Sequence, residues 1–324
     1  MSPLRIALVG SGMMGSLHAR VIAQHLSTEL TFVVDTDATR GLATAETWGS
    51  KWVPDLDDFG AIDALVVATP SETHLEWALR SLDAGRPTLV EKPLSQDLDE
   101  ARRLVEASEA NGVPLVCGLL ERFNPAVLKM HEIVENPVHV NVVRHSPHTP
   151  RITQGVAFDL AIHDVDLAIR LAGERPDRVQ AQLSRCHPTS PPGSEDIAEI
   201  ALSFPRGLVA GLSASRVSQR KLRTLQVAEL ERLIEVDLLR RDITVYHHVG
   251  ADFLEGRQTG YRQQTVIDIP AILDAREPLV TQLEHFVALA AGAGDVDAER
   301  RSILPPHEVL DQIVGSARVA EATR

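Results

Sequence analysis

A short glycine-rich stretch near the start of the chain constrains its fold more than any other feature. Residues 10–15 have the sequence Gly-Ser-Gly-Met-Met-Gly, which is the spacing G-x-G-x-x-G. An apolar run typical of a strand, residues 5–9, precedes the stretch, and a helical pattern over residues 13–25 follows it. A phosphate-binding loop needs this context, because the helix N-terminus offers N–H groups and partial positive charge to a phosphate. The sequence therefore predicts a dinucleotide-binding Rossmann unit.

Each glycine of the predicted loop has its own physical role. Gly10 permits the tight turn, Gly12 lets the backbone approach a pyrophosphate, and Gly15 allows the helix to pack closely on the strand. The cofactor-binding positions predicted in this stretch are Gly10, Gly12, Met13, Met14 and Gly15. The alternative is a glycine turn in an α/β fold that binds no cofactor.

An acidic residue stands where such a unit contacts the adenosine ribose. Asp35 ends the run Leu-Thr-Phe-Val-Val, 20 residues after Gly15. A carboxylate at this point accepts hydrogen bonds from the ribose hydroxyls and repels a 2′-phosphate, so it favours NAD over NADP. Arg40 is not an obvious clamp for a 2′-phosphate.

The chain of 324 residues is long enough for two domains, and its pattern changes near residue 120. Before this point strands and helices alternate, which predicts a doubly wound parallel α/β sheet over residues 1–120. Residues 121–324 predict an α+β domain for substrate binding and oligomerisation, built on an open and mostly antiparallel sheet. The helices at its end are free to pack back on the first domain.

The predicted elements are as follows. Strands are predicted at residues 5–9, 30–34, 64–68, 88–90, 115–117, 138–144, 179–185, 197–204, 208–215, 222–228, 233–238, 243–247 and 264–269. Helices are predicted at residues 13–25, 38–47, 72–84, 98–111, 125–134, 156–172, 279–291 and 307–322. Asp97 is predicted to cap the fourth helix, with Glu100 completing a capping box.

Composition and charge exclude several classes of protein. The net charge is −13, with 32 basic and 45 acidic residues, and basic clusters of the kind that bind nucleic acid are missing from the sequence. No apolar run is long enough to span a membrane, and the N-terminus lacks the pattern of a signal peptide. Two isolated cysteines fit a reducing cytoplasm, and the histidines have no spacing typical of a zinc site. We expect a cytoplasmic protein that forms a homodimer or homotetramer and holds no metal.

The stretch Glu91-Lys92-Pro93 follows a short strand of the first domain. Open α/β sheets bind ligands at the carboxyl ends of their strands, where this turn is expected. A lysine there can hydrogen-bond a substrate hydroxyl and stabilise the negative charge that develops on its oxygen. The alternative is an ordinary surface lysine. His18 on the first helix is explained equally well by core packing or by proximity to the cofactor.

A second group of polar side chains occurs on an apolar helix. Asp159, His163 and Asp166 stand at helical spacing on one face, whereas Asp164 points elsewhere. An imidazole beside a carboxylate suits a general base, because the carboxylate orients the ring and stabilises its protonated form. The alternative is a core histidine satisfied by one aspartate.

In their order along the chain, these motifs resemble the Gfo/Idh/MocA family of sugar and inositol dehydrogenases. The resemblance implies that Lys92 is the active-site lysine, that His163 is the catalytic base and that Asp159 positions the substrate or tunes His163. It also implies that residues 69–74 line the nicotinamide. The further cofactor-binding residues are then Thr69, Pro70, Ser71, His74, Glu91 and Lys92. Ser71 replaces the Asn that is more usual in the family, and the stretch Pro306-His307 is not expected to touch the site.

Several polar residues of the second domain resemble the branch of the family that oxidises UDP-N-acetyl sugars at C3. The predicted substrate-binding residues are Lys92, Arg122, Asn124, Arg144, Arg151, Asp159 and His163. Guanidinium groups suit a pyrophosphate because they bind it through two parallel hydrogen bonds. The alternative is that these arginines form ion pairs within the protein.

The sequence therefore predicts an NAD-dependent oxidoreductase that transfers hydride between the nicotinamide and a hydroxyl carbon of a sugar, nucleotide sugar or polyol. Two alternatives remain on the same fold. One is an NAD-dependent glycosidase that oxidises C3 only transiently, and the other is a non-catalytic sugar sensor that binds the cofactor.

Overall fold

The computed structural model describes residues 2–149, 152, 154–255, 258–316 and 319–321. The chain divides into two compact units. The first comprises Met1–Leu120 and Glu277–Gln312, and the second comprises Glu121–Arg276 and Ile313–Arg324.

The N-terminal part of the first unit alternates strands and helices. Its elements are β1 (Leu4–Val9), α1 (Met13–Gln24), β2 (Thr28–Val34), α2 (Ala38–Trp48), β3 (Lys51–Val53), β4 (Ala64–Val67), α3 (His74–Asp83), β5 (Thr88–Val90), α4 (Leu98–Asn111) and β6 (Leu115–Cys117). The six strands are parallel and lie in the order β3-β2-β1-β4-β5-β6. This order confirms the predicted doubly wound Rossmann sheet.

Local capping explains where helices of this unit begin and end. The side chain of Asp97 accepts hydrogen bonds from the backbone N–H groups of Asp99 and Glu100, so it caps α4 as predicted. The predicted capping box is wrong, because Glu100 accepts a hydrogen bond from the Ser95 hydroxyl at 2.6 Å and the Asp97 N–H donates to that hydroxyl oxygen at 3.1 Å. Gly49, at φ +69°, ends α2 in the left-handed conformation that glycine favours.

The second unit contains a large sheet and two longer helices. Its elements are α5 (Pro125–Ile133), β7 (His139–His145), a π-helical turn (Ala157–Ala161), α6 (Ile162–Ala172), β8 (Arg178–Arg185), β9 (Ile197–Ser203), β10 (Val209–Ser215), β11 (Leu222–Ala228), β12 (Arg232–Asp237), β13 (Asp242–Glu255) and β14 (Gln258–Asp268). With the short β15 (Val319–Glu321), the strand order is β14-β13-β12-β11-β7-β10-β9-β8-β15. All neighbours are antiparallel except the pairs β7–β10 and β8–β15.

One face of this sheet packs on the helix that carries the polar residues. Along β9, Ala198, Ile200 and Leu202 are buried while Glu199 and Ala201 are exposed. The helix α6 contacts β7 and β10 in the middle of the sheet. Alternation of buried and exposed positions is what an antiparallel sheet with one covered face requires, and the predicted α+β fold is confirmed.

Two helices near the end of the chain lie in the first unit, except for the last residues of the second helix, from Ile313 onward. They are α7 (Pro278–Ala290) and α8 (Val296–Ser316). Leu279, Leu283, Phe286 and Leu289 of α7 lie in the same apolar core as strand residues such as Ile6. The helix α8 begins 11 residues earlier than the predicted start at His307 and continues through Pro305 and Pro306. Within the described residues, the structure has no helix that is both long and apolar enough to cross a bilayer.

Candidate active site

The glycine-rich loop of the first unit is built on two close backbone approaches. Gly10 has φ +87°, and a Cβ atom there would lie 2.7 Å from the carbonyl oxygen of Ala68. A Cβ atom at Gly15 would lie 1.9 Å from the carbonyl oxygen of Gly10. At Gly12, no atom of the described residues lies within 4 Å of the corresponding position. The loop therefore needs two of its glycines for its own shape and leaves open space at the third, as a pyrophosphate cradle requires.

Two alanine substitutions should separate these roles. Gly15→Ala is expected to lower the free energy of unfolding by several kcal/mol, because a backbone carbonyl blocks the new methyl group. Gly12→Ala introduces no clash with the described residues, so we expect near-normal stability and weakened binding of the dinucleotide. Urea denaturation and titration of NAD by protein fluorescence measure the two effects. Equal stability of both variants would contradict the assignment.

The carboxylate of Asp35 lies beside this loop and is buried. Its Oδ2 accepts hydrogen bonds from the backbone N–H and the hydroxyl of Ser11, at 2.8 and 2.6 Å. Arg40 donates to both carboxylate oxygens, at 3.1 and 2.8 Å, and the Asp37 N–H donates to Oδ1 at 2.8 Å. Burial alone would raise the pKa of Asp35, but the hydrogen bonds from Arg40 and Ser11 lower this pKa to about 2. Asp35 is therefore ionised at neutral pH and paired with Arg40.

The Thr69–His74 segment follows β4 at the carboxyl edge of the sheet. The Thr73 hydroxyl donates to the Thr69 hydroxyl at 2.8 Å, and the Ser71 hydroxyl accepts from the Gln96 amide at 3.0 Å. His74 is buried, and its Nε2 lies 3.0 Å from the Thr69 carbonyl oxygen. Ser71–Thr73 form a short 3-10 turn directly before α3, and these contacts hold that turn against Thr69 and Gln96.

The turn Glu91–Leu94 follows β5 at the same edge, and we call it the lysine turn. Lys92 is half-buried, and the Lys92–Pro93 peptide bond is cis. Glu91 is buried and lies 2.8 Å from Nε2 of His18. Burial would raise the pKa of Glu91, but His18 and Lys92 hold this pKa below its usual range.

A histidine of α8 also contacts the lysine turn. The N–H of Leu94 donates to Nε2 of His307 at 3.0 Å. The expectation that Pro306-His307 would not touch the site is therefore wrong, because α8 returns to the first unit. His18 is likewise a partner of the turn through Glu91.

In the second unit, the π-helical turn carries Asp159 and the following helix α6 carries His163. Both side chains are partly buried. Insertions of a π turn into a helix occur frequently at functional sites. Asp159 accepts a hydrogen bond from the buried Arg216 at 3.3 Å. The carboxylate of Asp159 is therefore balanced by a cation of its own unit.

A buried glutamate holds the start of this helical segment. Oε1 of Glu195 accepts a hydrogen bond from the N–H of Ala157 at 2.7 Å. A Cβ atom at Gly155 would lie 2.2 Å from the Glu195 carboxylate, so glycine is required there by a close approach. Burial raises the pKa of Glu195.

Three of the predicted substrate-binding residues are used inside the second unit. Arg144 is buried and donates to Glu121 and to Asp164, each at 2.8 Å. Arg122 is buried and forms two hydrogen bonds with Asp166, at 2.8 and 2.6 Å. Asn124 caps α5 and donates to the Leu238 carbonyl oxygen. This placement favours the alternative that these residues hold the fold, and Arg151 lies outside the described residues.

Both units contain residues that match models of known protein families. Residues 4–119 match the model of an oxidoreductase family with an NAD-binding Rossmann fold, and residues 135–229 match the GFO/IDH/MocA C-terminal domain. The chain belongs to the Gfo/Idh/MocA oxidoreductase family. The resemblance inferred from the motifs is thereby confirmed.

Relatives within the Gfo/Idh/MocA family act on different compounds. UDP-N-acetylglucosamine 3-dehydrogenase of Acidithiobacillus ferrooxidans is 30% identical over 292 residues, which cover 89% of each chain. Its solved structure has a TM-score of 0.81 and covers 97% of this chain and 99% of that one. Inositol 2-dehydrogenase 2 of Saccharopolyspora erythraea is 31% identical over 64% of this chain and 65% of that protein. GenD2 from gentamicin A biosynthesis, solved in complex with NAD, is 25% identical with a TM-score of 0.81, covering 98% of this chain and 94% of GenD2.

The family motifs did not reveal every residue around the candidate site. Arg216 stands directly after β10, and Glu195 lies shortly before β9, but neither has a partner nearby in sequence. For both Arg216 and Glu195, the signal in the sequence was a polar side chain next to the end of a predicted strand. Among the described residues, no three His, Cys, Asp or Glu side chains come together as a metal site would need.

Proposed function

We propose that this chain is an NAD-dependent dehydrogenase that transfers hydride between the nicotinamide and a hydroxyl carbon of a sugar, nucleotide sugar or polyol. The observation that carries the proposal is the lysine turn, which lies at the carboxyl edge of a Rossmann sheet whose glycine loop fits a pyrophosphate. The second unit adds an aspartate and a histidine, Asp159 and His163, on one helical segment. The names of the relatives support the same class of reaction.

The proposed chemistry uses one residue from the first unit and two from the second. His163 takes the proton of the substrate hydroxyl, and Lys92 stabilises the negative charge that develops on the oxygen. The carbon–hydrogen bond electrons leave as hydride, a carbonyl group forms, and bound NAD supplies the hydride acceptor. Asp159, paired with Arg216, orients the substrate or the imidazole. Reversal of the same steps reduces a ketone.

A nucleotide sugar is our first choice of substrate. The relative that aligns over 89% of this chain is named for UDP-N-acetylglucosamine, whereas the alignment with the inositol dehydrogenase covers 64%. Because Arg122 and Arg144 are paired inside the second unit, we do not assign either to the substrate diphosphate. We keep Lys92, Asp159 and His163 as the proposed substrate-binding residues.

We propose NAD as the preferred cofactor, with Arg40 controlling the use of NADP. The ionised Asp35 carboxylate repels a 2′-phosphate and can accept a hydrogen bond from a ribose hydroxyl. Arg40 pairs with Asp35, and 49% of its side chain is exposed. It is thus a cation close to where the 2′-phosphate of NADP would bind.

Arg40→Ala should therefore lower the activity with NADP and leave the activity with NAD nearly unchanged. We expect kcat/KM with NADP to fall about tenfold or more, as the loss of a charge-assisted hydrogen bond implies, and kcat/KM with NAD to change little. Steady-state rates with both cofactors measure the ratio. Arg102→Ala is the matched control, because Arg102 is an exposed arginine of α4 paired with Asp99. A parallel fall with both cofactors would contradict this role for Arg40.

The experiment that tests the function is a dehydrogenase screen with NAD and NADP against UDP-sugars, free sugars and inositols. We expect net formation of NADH, followed by its absorbance, with at least one nucleotide sugar. Release of an alcohol from a glycoside without net NADH would identify the glycosidase alternative. Tight binding of a sugar without turnover would identify the sensor alternative, and either outcome would reject the dehydrogenase.

A further inference from the structure

Three buried histidines contact the lysine turn, and they come from three different helices. His18 lies on α1, His74 begins α3 and His307 lies on α8, and at most 3% of each residue is exposed. We call them the brace histidines. Their ring nitrogens reach the Glu91 carboxylate at 2.8 Å, the Pro93 carbonyl oxygen at 3.0 Å and the Leu94 N–H at 3.0 Å. A histidine therefore contacts Glu91, Pro93 and Leu94 of the turn.

The two ring nitrogens of His307 face one hydrogen-bond acceptor and one donor. Its Nδ1 lies 2.8 Å from the carbonyl oxygen of Ile303, which can only accept a hydrogen bond, so Nδ1 carries the hydrogen. Its Nε2 then has a free lone pair and accepts from the N–H of Leu94. One neutral imidazole thus connects α8 to the lysine turn across 213 positions of sequence.

His74 makes the corresponding connection on the other side of the turn. Pro93 has no N–H, so its carbonyl oxygen is the backbone group through which this residue can be held. Nδ1 of His74 contacts that oxygen, and Nε2 contacts the carbonyl oxygen of Thr69. The ring therefore joins the lysine turn to the segment proposed to line the nicotinamide.

We propose that His18, His74 and His307 are positioning residues for Lys92. They fix the backbone on both sides of the lysine, so that its ammonium group is presented to the reacting oxygen in one orientation. Misplacement of a reacting group by about 1 Å can cost about 100-fold in rate, so this support matters for turnover. The inference rests on the proposed role of Lys92 and adds three residues that act through it.

His307→Phe and His307→Gln form the decisive pair of variants. Phenylalanine keeps the ring volume and removes the acceptor of the Leu94 N–H, whereas the glutamine side-chain oxygen can still accept this bond. For His307→Phe we expect faster amide hydrogen exchange in a peptide covering residues 89–96 and a fall in kcat of about tenfold or more, with little change in KM for NAD. His307→Gln should recover most of the protection and most of kcat. His285→Phe, at a partly exposed histidine of α7, is the matched control.

The outcomes of this experiment separate the bracing contact, the positioning role and the proposed function. Unchanged exchange at residues 89–96 in His307→Phe would overturn the bracing contact. Faster exchange with wild-type kcat would overturn the positioning role, provided that Lys92→Met is inactive. If Lys92→Met keeps its turnover, the proposed function is rejected, while the exchange data still test the contact between His307 and the Leu94 N–H. Should His307→Phe not fold, His307→Gln and His74→Asn carry the same comparison of exchange with kcat.

Discussion

Replacing Lys92 by methionine is expected to abolish turnover while NAD binding stays near normal. Methionine preserves the length of the side chain and removes the charge that stabilises the developing alkoxide. Loss of one preorganised donor of this kind typically lowers kcat by about 100- to 1,000-fold, and a charged donor lies at the upper end. Single-turnover measurements with the substrate found in the screen give the rate, and protein fluorescence gives the affinity for NAD.

The control for this substitution is Lys51→Met. Lys51 is an exposed lysine at the start of β3 in the same unit, so its replacement removes a positive charge without touching the lysine turn. We expect wild-type kcat for this variant. Full activity of Lys92→Met would reject Lys92 as the polarising group and with it the proposed mechanism.

Replacing His163 by asparagine should have an effect of similar size for a different reason. Asparagine is polar and of similar size, but it cannot take a proton at neutral pH, so the hydroxyl loses its base. Loss of a general base typically costs about 100- to 10,000-fold, and the measurement is kcat with saturating NAD and substrate. Because His163 lies in the second unit, we expect NAD affinity to stay unchanged.

The matched control is His139→Asn, at an exposed histidine that begins β7 in the same unit. This variant should have wild-type kcat. A further comparison uses Asp159→Asn, which leaves the Arg216 cation without its carboxylate. Retained activity of His163→Asn would reject His163 as the base, and a loss of activity in Asp159→Asn would then favour the aspartate in that role.

The sequence predicted the Rossmann sheet well because its signals are local. Glycine spacing, alternating apolar runs and the cap at Asp97 each act within a few residues. The three-residue strand β3 was not predicted, because Lys51–Val53 is too short to display a period and only its parallel pairing with β2 defines it. The predicted strand at 243–247 ended early and the one at 264–269 began late, because the hairpin β13–β14 continues through glycines and polar residues that pair with each other.

Long-range pairing limited prediction of the candidate site. A buried arginine and an arginine that binds a ligand have the same sequence signature, so Arg144 could not be distinguished from a diphosphate ligand before its partners Glu121 and Asp164 were seen. The last helix was predicted to begin at His307, whereas α8 begins at Val296 and runs through Pro305 and Pro306. For that reason the contact of His307 with the lysine turn could not be inferred from local pattern.

The return of α7 and α8 to the first unit has a consequence for the order in which the protein is made. Phe286 completes an apolar core that begins with Ile6, and His307 completes the support of the lysine turn. As the ribosome releases the chain from its N-terminus, residues 121–276 of the second unit have emerged before the first possesses all of its core. The dinucleotide-binding unit is thus begun first and completed only after residues 121–276 have been made, and a fragment ending near residue 120 lacks part of its own interior.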